Sequence, residues 1–384
     1  MKIITTEKNP IYLFAEKIEK GALTQAQHLA NLPFAFHHIA IMPDVHEGYG
    51  MPIGGVLAAE EVVVPNAVGV DIGCGMVATK TSLTEINIAY LKKVLGKLRG
   101  LIPVGFAHHK KAQSEKYMPD VEAPEIASQE YKNALTQVGT LGGGNHFVEI
   151  QKGDDKHIWL MVHSGSRNIG FKVANYYNRL AIKTKSKWGY EVPSSWQLDY
   201  FPLSSREGQN YLKEMNFCLE FAKANRALMM KRVKDTFAKF FPKISFEKEI
   251  NIHHNYTCLE KHFGKEVMIH RKGATSAKKG KMGIIPGSQG SKSYIVKGLG
   301  NPDSFESCSH GAGRVLSRKR ARRELNLAEE KQKLDKKEIL HAIRSIRDLD
   351  EASSAYKNIE EVLDQQKDLV KKNVTLEPLA VIKG

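Results

Sequence analysis

The chain has 384 residues, of which 42% are apolar and 26% are charged, a globular composition that excludes wholesale disorder. Its 57 basic and 42 acidic residues give a net charge of +15, which favours a polyanionic partner such as nucleic acid. No apolar run is long enough to span a membrane, and four cysteines are too few for a disulfide framework, so we expect a cytoplasmic protein without membrane attachment.

Short apolar runs separated by glycine-rich turns fill the first third of the chain and predict strands. The runs are AFHHIAIMP, GGVLAAEEVVVP and VGVDIGCGMVATKT, which begin at Ala35, Gly54 and Val68. A helix is predicted over residues 84–98. The polar stretch from Ala107 to Glu130 has little periodicity and predicts a loop or a flexible flap.

The middle of the chain continues with the apolar runs HFVEIQ and HIWLMVHSG, which predict two strands. Apolar residues then recur at the helical period from Arg206 to Phe240 and predict one long amphipathic helix. Strands are predicted again at EVMIHR, MGIIP and KSYIVKG. Beyond Gly311 the charged sequence predicts mainly helix, followed by the apolar segment LEPLAVIKG at the end.

The domain organisation follows from the absence of a Pro/Ser linker and from the spread of histidine-bearing glycine turns along the whole chain. We expect one domain over residues 1–384 with a helical insertion at roughly 205–245. Length alone leaves open a division into two domains near Ser205.

Glycine-rich turns carry the residues that are suited to chemistry. A single histidine in such a turn is more often packed and hydrogen-bonded than a ligand. Five such segments favour one site that is assembled from distant parts of the chain. They are VGVDIGCGM, GGGNHFVE, MVHSGSRNIG, NIHHNY and SCSHGAGR.

Asp71 and Cys74 lie three residues apart across a glycine turn, so a carboxylate and a thiolate can converge on one metal ion. The alternative is an inert core cysteine, but the flanking Gly73 and Gly75 provide no bulk to bury it. Imidazole, thiolate and carboxylate together suit a borderline transition metal, and softness alone favours zinc or iron over manganese. The chain has no CxxC pair and no HExxH motif, so neither a zinc finger nor a zincin is indicated.

Nucleotide binding has two candidate segments. GSQGSKS, from Gly287 to Ser293, has the wrong spacing for a P-loop and is either a phosphate-binding or base-binding turn or a plain glycine turn. His310 precedes RVLSRKRARREL, a predicted helix whose N-terminal amides would face a bound phosphate. His310 is therefore the candidate nucleophile for covalent phosphate activation, and an incidental histidine in a capping loop is the alternative.

Basic residues cluster on both sides of this candidate site. No acidic residue occurs from Val267 to Pro302, and six of the ten residues from Arg314 to Arg323 are basic. Each cluster is either a solvated face or part of a track for a phosphate backbone.

These segments together resemble the RtcB family of RNA-splicing ligases, and the resemblance covers nearly the whole chain. The motifs that carry it are MPDVHEGYGMPIGG, VGVDIGCGM, GTLGGGNHFVE, HSGSR, HHN, RKGATSA, IPGSQGSKSYIV and CSHGAGR. The resemblance implies an α+β fold with mixed sheets. It also implies a ligase that joins an RNA 3′-phosphate or 2′,3′-cyclic phosphate to a 5′-hydroxyl, with GTP and two Mn²⁺ ions.

The resemblance also implies roles for individual residues. His310 would accept GMP from GTP, and Cys74 would bridge the two metal ions. One ion would add Asp71 and His146, and the other His163 and His254. His254 is favoured over His253 because the family ligand directly precedes an asparagine. The implied nucleotide-binding residues are Asn145, His146, Phe147, Val148, Glu149, His254, Asn255, Pro286, Gly287, Ser288, Gln289, Ser293, His310, Gly311, Ala312, Gly313, Tyr356 and Lys383.

Two departures from the family pattern bear on the substrate. Gln289 stands where many relatives have methionine, and the chain is somewhat shorter than typical relatives. Two other functions are alternatives to the ligase. One is an RNA-binding protein that lost catalysis, and the other is an enzyme that opens cyclic phosphates or caps RNA ends without sealing them. The first is disfavoured because the nucleophile and all the ligands are present. The natural RNA and any helper protein are left open.

Overall fold

The computed structural model describes residues 1–384 and contains strands and helices interleaved along the whole chain. The strands are β1 (Lys2–Ile4), β2 (Ile11–Leu13), β3 (Ala35–Tyr49), β4 (Met51–Ala59), β5 (Val62–Val63), β6 (Gly75–Lys80), β7 (Phe147–Gly153), β8 (Ile158–Ser164), β9 (Phe201–Pro202), β10 (Ile250–His253), β11 (Asn255–His262), β12 (Lys265–Lys272), β13 (Ala274–Ser276), β14 (Met282–Ile285), β15 (Ser293–Gly298), β16 (Ser307–Ser309) and β17 (Val370–Lys383). The helices are α1 (Lys20–Ala30), α2 (Ile88–Leu101), α3 (Glu125–Gln137), α4 (Arg167–Thr184), α5 (Arg206–Phe240), α6 (Arg318–Glu324), α7 (Leu327–Asp335) and α8 (Ile359–Asp364).

Two large sheets organise the chain into a single α+β domain. A six-stranded sheet has the order β1-β2-β3-β4-β12-β11 and is mixed, because β2 and β3 are parallel. A seven-stranded antiparallel sheet has the order β10-β6-β8-β7-β17-β15-β14. Two short pairs, β13 with β16 and β5 with β9, complete the strand pairing. The predicted α+β class is confirmed.

Alternation along the central strands of the seven-stranded sheet builds a core on each of its faces. In β6, Val77 packs toward α2 and α5, while Met76 and Ala78 contribute to the apolar layer on the opposite face. The adjacent strand β8 divides in the same way, with Leu160 on the α2–α5 face and Met161 on the other. The sheet is therefore buried on both sides, and its strand ends are held rigidly.

Helix α5 has the bounds that its periodicity predicts. Ser205 caps it through a hydrogen bond from the amide of Gly208 to its hydroxyl (3.0 Å), and Pro242 follows its end. No helix combines the length and apolarity that a membrane crossing requires. The domain boundaries of 1–384, with the helical insertion, stay a proposal, which the pairing of β17 with β7 across the chain supports.

Several predicted elements need correction. VGVDIGCGMVATKT forms a strand only from Gly75, because the preceding residues turn through the candidate site. The polar stretch that was predicted as a loop already enters α3 at Glu125. The charged region beyond Gly311 forms three short α-helices, α6, α7 and α8, and two short 3-10 helices at Ile346–Glu351 and Ser353–Ala355, with loops between them. Helices α1 and α4 were not predicted.

Candidate active site

The register of the seven-stranded sheet brings four distant segments together at one edge. Its neighbouring strands β10, β6, β8 and β7 end or begin at the candidate metal-binding residues. His253 pairs with Gly75, Gly75 with Ser164, and His163 with Phe147. Cys74, His146 and His254 directly adjoin these paired residues in the chain. A β-carbon on Gly75 would lie 2.0 Å from the carbonyl oxygen of Ile252, so this close approach requires glycine.

The donor atoms of the predicted metal ligands converge on Cys74. Its Sγ lies 3.3 Å from His146 Nε2 and 3.2 Å from His163 Nε2. His163 Nε2 lies 3.4 Å from His254 Nε2, and His146 Nε2 lies 3.2 Å from Asp71 Oδ2. Two groups of three donors result, Asp71–Cys74–His146 and Cys74–His163–His254, and they share the sulfur. Each group has the donor types and spacing that could hold one metal ion.

Burial sets the protonation of these donors. It raises the pKa of the Cys74 thiol, and the nearby Asp71 carboxylate raises it further. Burial also lowers the pKa of His163 and of His254, so both imidazoles are neutral. Neutral imidazole nitrogens are the form that binds metals, and a bound cation would offset the cost of a buried thiolate. The donor set therefore fits a transition metal, and its softness does not by itself select manganese.

Arg226 holds the loops that carry these donors. Its fully buried guanidinium donates to the carbonyl oxygens of Gly73 and Ser164, each at 2.9 Å. It also contacts Asn251 Oδ1 at 3.0 Å and His253 Nδ1 at 3.1 Å. His253 is thus turned toward α5, while His254 faces the donor cluster. Arg226 is not among the predicted site residues, although its position four residues after Ala222 and three before Met229 places a charged side chain on the apolar face of the helix.

His310 lies at the other side of the cluster, with its ring centroid 4.8 Å from that of His254. Its Nδ1 is 2.7 Å from Asp44 Oδ2, which also accepts from the amides of His310 (3.1 Å) and Gly311 (3.2 Å). Burial disfavours ionisation of Asp44, but the contact with His310 outweighs it and holds the pKa of this carboxyl below its usual value. Since a carboxylate only accepts hydrogen bonds, the neutral imidazole carries its proton on Nδ1 and leaves the Nε2 lone pair free.

Asp44 was missed as a functional residue, although it belongs to the quoted motif MPDVHEGYG. Its close approach to the loop after His310 depends on glycine: Gly313 has φ +75°, and a β-carbon there would lie 2.1 Å from the carbonyl oxygen of Asp44.

The helix predicted over RVLSRKRARREL is present, but it begins later than expected and does not adjoin His310. His310 follows β16, and α6 begins only at Arg318, where the Ser317 hydroxyl accepts from the amide of Arg320 (3.3 Å). The intervening residues form bends, with one isolated β-bridge between Arg314 and Tyr356. A phosphate at His310 would therefore meet loop amides and not a helix N-terminus.

A cavity of about 400 Å³ adjoins His310 and the donor cluster. Most of the predicted site residues line it: Asp71, Cys74, Asn145, Phe147, Glu149, His163, His254, Asn255, Pro286, Gly287, Ser288, Gln289, His310, Gly311, Ala312, Gly313, Tyr356 and Lys383. Three predicted site residues do not line the cavity. His146 contacts Asp71 and Cys74, which do line it, and Val148 packs in the core on the α2–α5 face. The Ser293 hydroxyl accepts from the amide of Gly287 (3.2 Å).

Two carboxyl groups face this cavity, Glu149 with a raised pKa and Glu351 with a lowered pKa. Burial raises the pKa of Glu149 to about 8, although Lys383 opposes the shift. Glu351 forms ion pairs with Arg318 (3.1 Å) and Lys383 (3.3 Å) and accepts a hydrogen bond from the Tyr356 hydroxyl, so it organises the cationic wall. Glu351 is not among the predicted site residues, because it lies in no recognisable motif.

The GSQGSKS segment is a loop between β14 and β15 that also lines the cavity. The hydroxyl of Ser291 accepts from the amide of Ser288 (2.7 Å), so the loop satisfies some of its own amides. Gln289 is buried and donates from Nε2 to the carbonyl oxygen of Glu351 (3.0 Å), while its Oε1 has no protein partner.

Most of the cations in the basic cluster from Arg314 to Arg323 are paired with carboxylates. Arg320 and Arg323 bind Glu324, and Arg322 binds Asp350 at 2.6 Å. Arg314 and Arg318 instead pair with Glu351 and line the cavity, so the interpretation as a solvated face applies to Arg320, Arg322 and Arg323.

Comparison with known proteins finds relatives that all carry the same family name. The family described as "tRNA-splicing ligase RtcB" matches residues 25–123 and 109–384. The RNA-splicing ligase RtcB of Escherichia coli K12 is 38% identical over 412 aligned positions, which cover 100% of this chain and 99% of the relative. The tRNA-splicing ligase RtcB of Nanoarchaeum equitans is 33% identical and that of Thermococcus kodakarensis 31% identical. Each of these two alignments covers 97% of this chain and 94% of the relative.

Proposed function

The chain belongs to the RtcB family and is an RNA-splicing ligase. From this premise we propose that it joins RNA 3′-phosphate or 2′,3′-cyclic phosphate ends to 5′-hydroxyl ends, with GTP as the energy source and His310 as the guanylylated nucleophile. The observation that carries the proposal is the placement of His310 between an orienting carboxylate and the cluster of metal-binding donors. We further propose tRNA halves as substrates, from the names of the relatives, and a cytoplasmic site of action.

His310 is prepared to act as a nucleophile through Nε2. Asp44 holds the proton on Nδ1, so the Nε2 lone pair is free to attack the α-phosphorus of GTP. A bond from Nε2 to phosphorus forms, the bond to the pyrophosphate oxygen breaks, and pyrophosphate leaves. Asp44 compensates the positive charge that the imidazole ring acquires.

The guanine ring is proposed to lie near Glu149, Tyr356 and Lys383, which line the same cavity as His310. An ionised Glu149 accepts two hydrogen bonds from guanine and none from the corresponding edge of adenine, which accounts for a preference for GTP. Arg314, Arg318 and Lys383, which pair with Glu351, would neutralise negative charge on the phosphates of GTP.

Two further transfers complete the reaction. An oxygen of the RNA 3′-phosphate attacks the phosphorus on His310, the bond to Nε2 breaks, and the RNA end carries GMP. The 5′-hydroxyl oxygen then attacks the RNA phosphorus, the phosphodiester forms, and GMP leaves. A cyclic phosphate is first opened by water.

The proposed metal ligands are Asp71, Cys74, His146, His163 and His254. Two Mn²⁺ ions bound there would neutralise charge on the transferring phosphoryl groups. The chain itself orients the donors, because Arg226 and the sheet register hold their loops.

His310→Ala, with His341→Ala as a control outside the cavity, tests the proposal. With GTP labelled in the α-phosphate, the wild type and the control should form an adduct that is labile in acid and stable in alkali. His310→Ala should form none, yet it should still seal RNA that already carries GMP on its 3′-phosphate. A normal adduct in His310→Ala would place the nucleophile elsewhere.

The same assay with matched RNA ends distinguishes the alternatives. A sealed strand supports the ligase, while guanylylated ends that accumulate unsealed support a capping enzyme. RNA binding without either product would indicate a protein that has lost catalysis.

A further inference from the structure

A turn beside the cavity displays one phenylalanine ring to solvent. Phe106 has a relative exposure of 103%, and the next most exposed large apolar side chain, Tyr49, has 63%. An aromatic ring gains nothing for folding in such a position. A single exposed apolar side chain is common at protein surfaces, so what distinguishes Phe106 is the way its turn is anchored and what surrounds it.

The turn is held in place on both sides of Phe106. Gly105 has φ +62°, and the amide of Ala107 donates to the carbonyl oxygen of Val104 at 3.1 Å, which closes a tight turn. The amide of His109 is anchored on the carbonyl oxygen of Thr136 at 2.9 Å. The ring is thus presented from an anchored backbone, which lowers the entropy cost of binding a ligand on it.

This turn contacts the loop that leads to the donor cluster. The amide of Gly105 donates to the carbonyl oxygen of Gly142 at 2.8 Å, and Arg167 donates to the carbonyl oxygen of Gly105 at 3.0 Å. A β-carbon on Gly142 would lie 2.6 Å from His146 Nδ1. The backbone that presents Phe106 therefore contacts the glycine loop that leads to Asn145, which lines the cavity, so the turn adjoins the cavity wall.

The charges around the ring suit a polyanion. His108, Lys110 and Lys111 are exposed, and no acidic residue occurs between Pro103 and Ser114. An exposed aromatic ring with neighbouring cations is the arrangement that binds single-stranded nucleic acid, with stacking on the ring and phosphates against the cations.

We propose that Phe106 is a stacking platform for an unpaired nucleobase of the RNA next to the end that is joined, and that Lys110 and Lys111 contact the adjoining phosphates. This inference rests on the proposed RNA ligase function and adds to it a residue that contacts the substrate. The guanine of GTP is assigned to the cavity at Glu149, so the base on Phe106 belongs to the RNA.

Phe106→Ala, Phe106→Trp and the control Phe263→Ala, which removes an exposed phenylalanine on a different loop, test the proposal. Loss of stacking should weaken RNA binding and raise the KM for RNA about 5- to 150-fold in Phe106→Ala. Phe106→Trp and Phe263→Ala should stay near the wild type. Self-guanylylation with GTP alone should be unchanged in all variants, because it needs no RNA.

An RNA series with one abasic position at a time identifies the stacked base. At that position the wild type should lose affinity, whereas Phe106→Ala should lose no more. Unchanged RNA affinity in Phe106→Ala would overturn the inference and would indicate that the ring docks another protein. A wild type that binds RNA but neither seals nor guanylylates it contradicts the proposed ligase function, while the comparison of RNA affinities still tests Phe106.

Discussion

Replacement of Asp44 by Asn isolates the charge that supports the nucleophile. Asn has nearly the same volume, and its amide oxygen can still accept from His310 Nδ1 and from the two backbone amides that Asp44 Oδ2 binds at 2.7, 3.1 and 3.2 Å. The variant should fold normally. What it lacks is the negative charge opposite the imidazole ring when that ring becomes cationic.

The size of the effect follows from the geometry. With Nδ1 and Oδ2 2.7 Å apart, the centres of the two charged groups are about 4 Å apart. At an effective dielectric constant of about 20, two unit charges at that distance attract by about 4 kcal/mol. Formation of the guanylate adduct should therefore slow by about 10³-fold.

Single-turnover self-guanylylation at saturating GTP measures this rate. GTP affinity should change little, because Asp44 faces His310 and not the nucleotide. Any adduct that does form should pass GMP to RNA no more slowly than in the wild type, since its cationic imidazole is less stabilised. Asp199→Asn, at another buried aspartate outside the cavity, is the matched control. A guanylylation rate within about threefold of the wild type would refute the reasoning.

Three further predictions concern other residues of the site. Cys74→Ala should lose both proposed metal ions, because the Cys74 sulfur belongs to both donor groups, and Cys74→Ser should restore little metal binding. Elemental analysis that finds two ions retained in Cys74→Ala would contradict this. Burial raises the pKa of Glu149 to about 8, and only its carboxylate form accepts both guanine hydrogen bonds. GTP affinity should therefore fall about tenfold per pH unit below pH 8 and level off above it. Calorimetry should show that Glu149→Gln binds GTP weakly and without this pH dependence. Arg226→Ala should lower the free energy of unfolding by about 3–5 kcal/mol, because it leaves buried carbonyl oxygens without donors, and urea denaturation measures the loss.

Local sequence pattern predicted those parts of the fold in which a single period dominates. Helix α5 has the predicted bounds because its apolar residues recur at the helical period between a serine cap and a proline. Strands β7 and β8 were predicted from continuous apolar runs, which suit a sheet that is buried on both faces. Helix α4 was missed although Ile169, Val173, Tyr177 and Ala181 lie on one buried face at a spacing of four.

For the site, the sequence by itself determined which kinds of donor are available and that they lie in glycine-rich turns. Only the tertiary structure decided their partners. Asp44 meets His310 across 266 residues of chain, and Arg226 meets Gly73 across 153. The helix predicted from Arg314 begins only at Arg318, because Arg314 pairs with Tyr356 from the far end of the chain and Ser317 caps the helix after it. Composition and periodicity act over a few residues, whereas sheet register and side-chain packing choose which distant residues share one buried space.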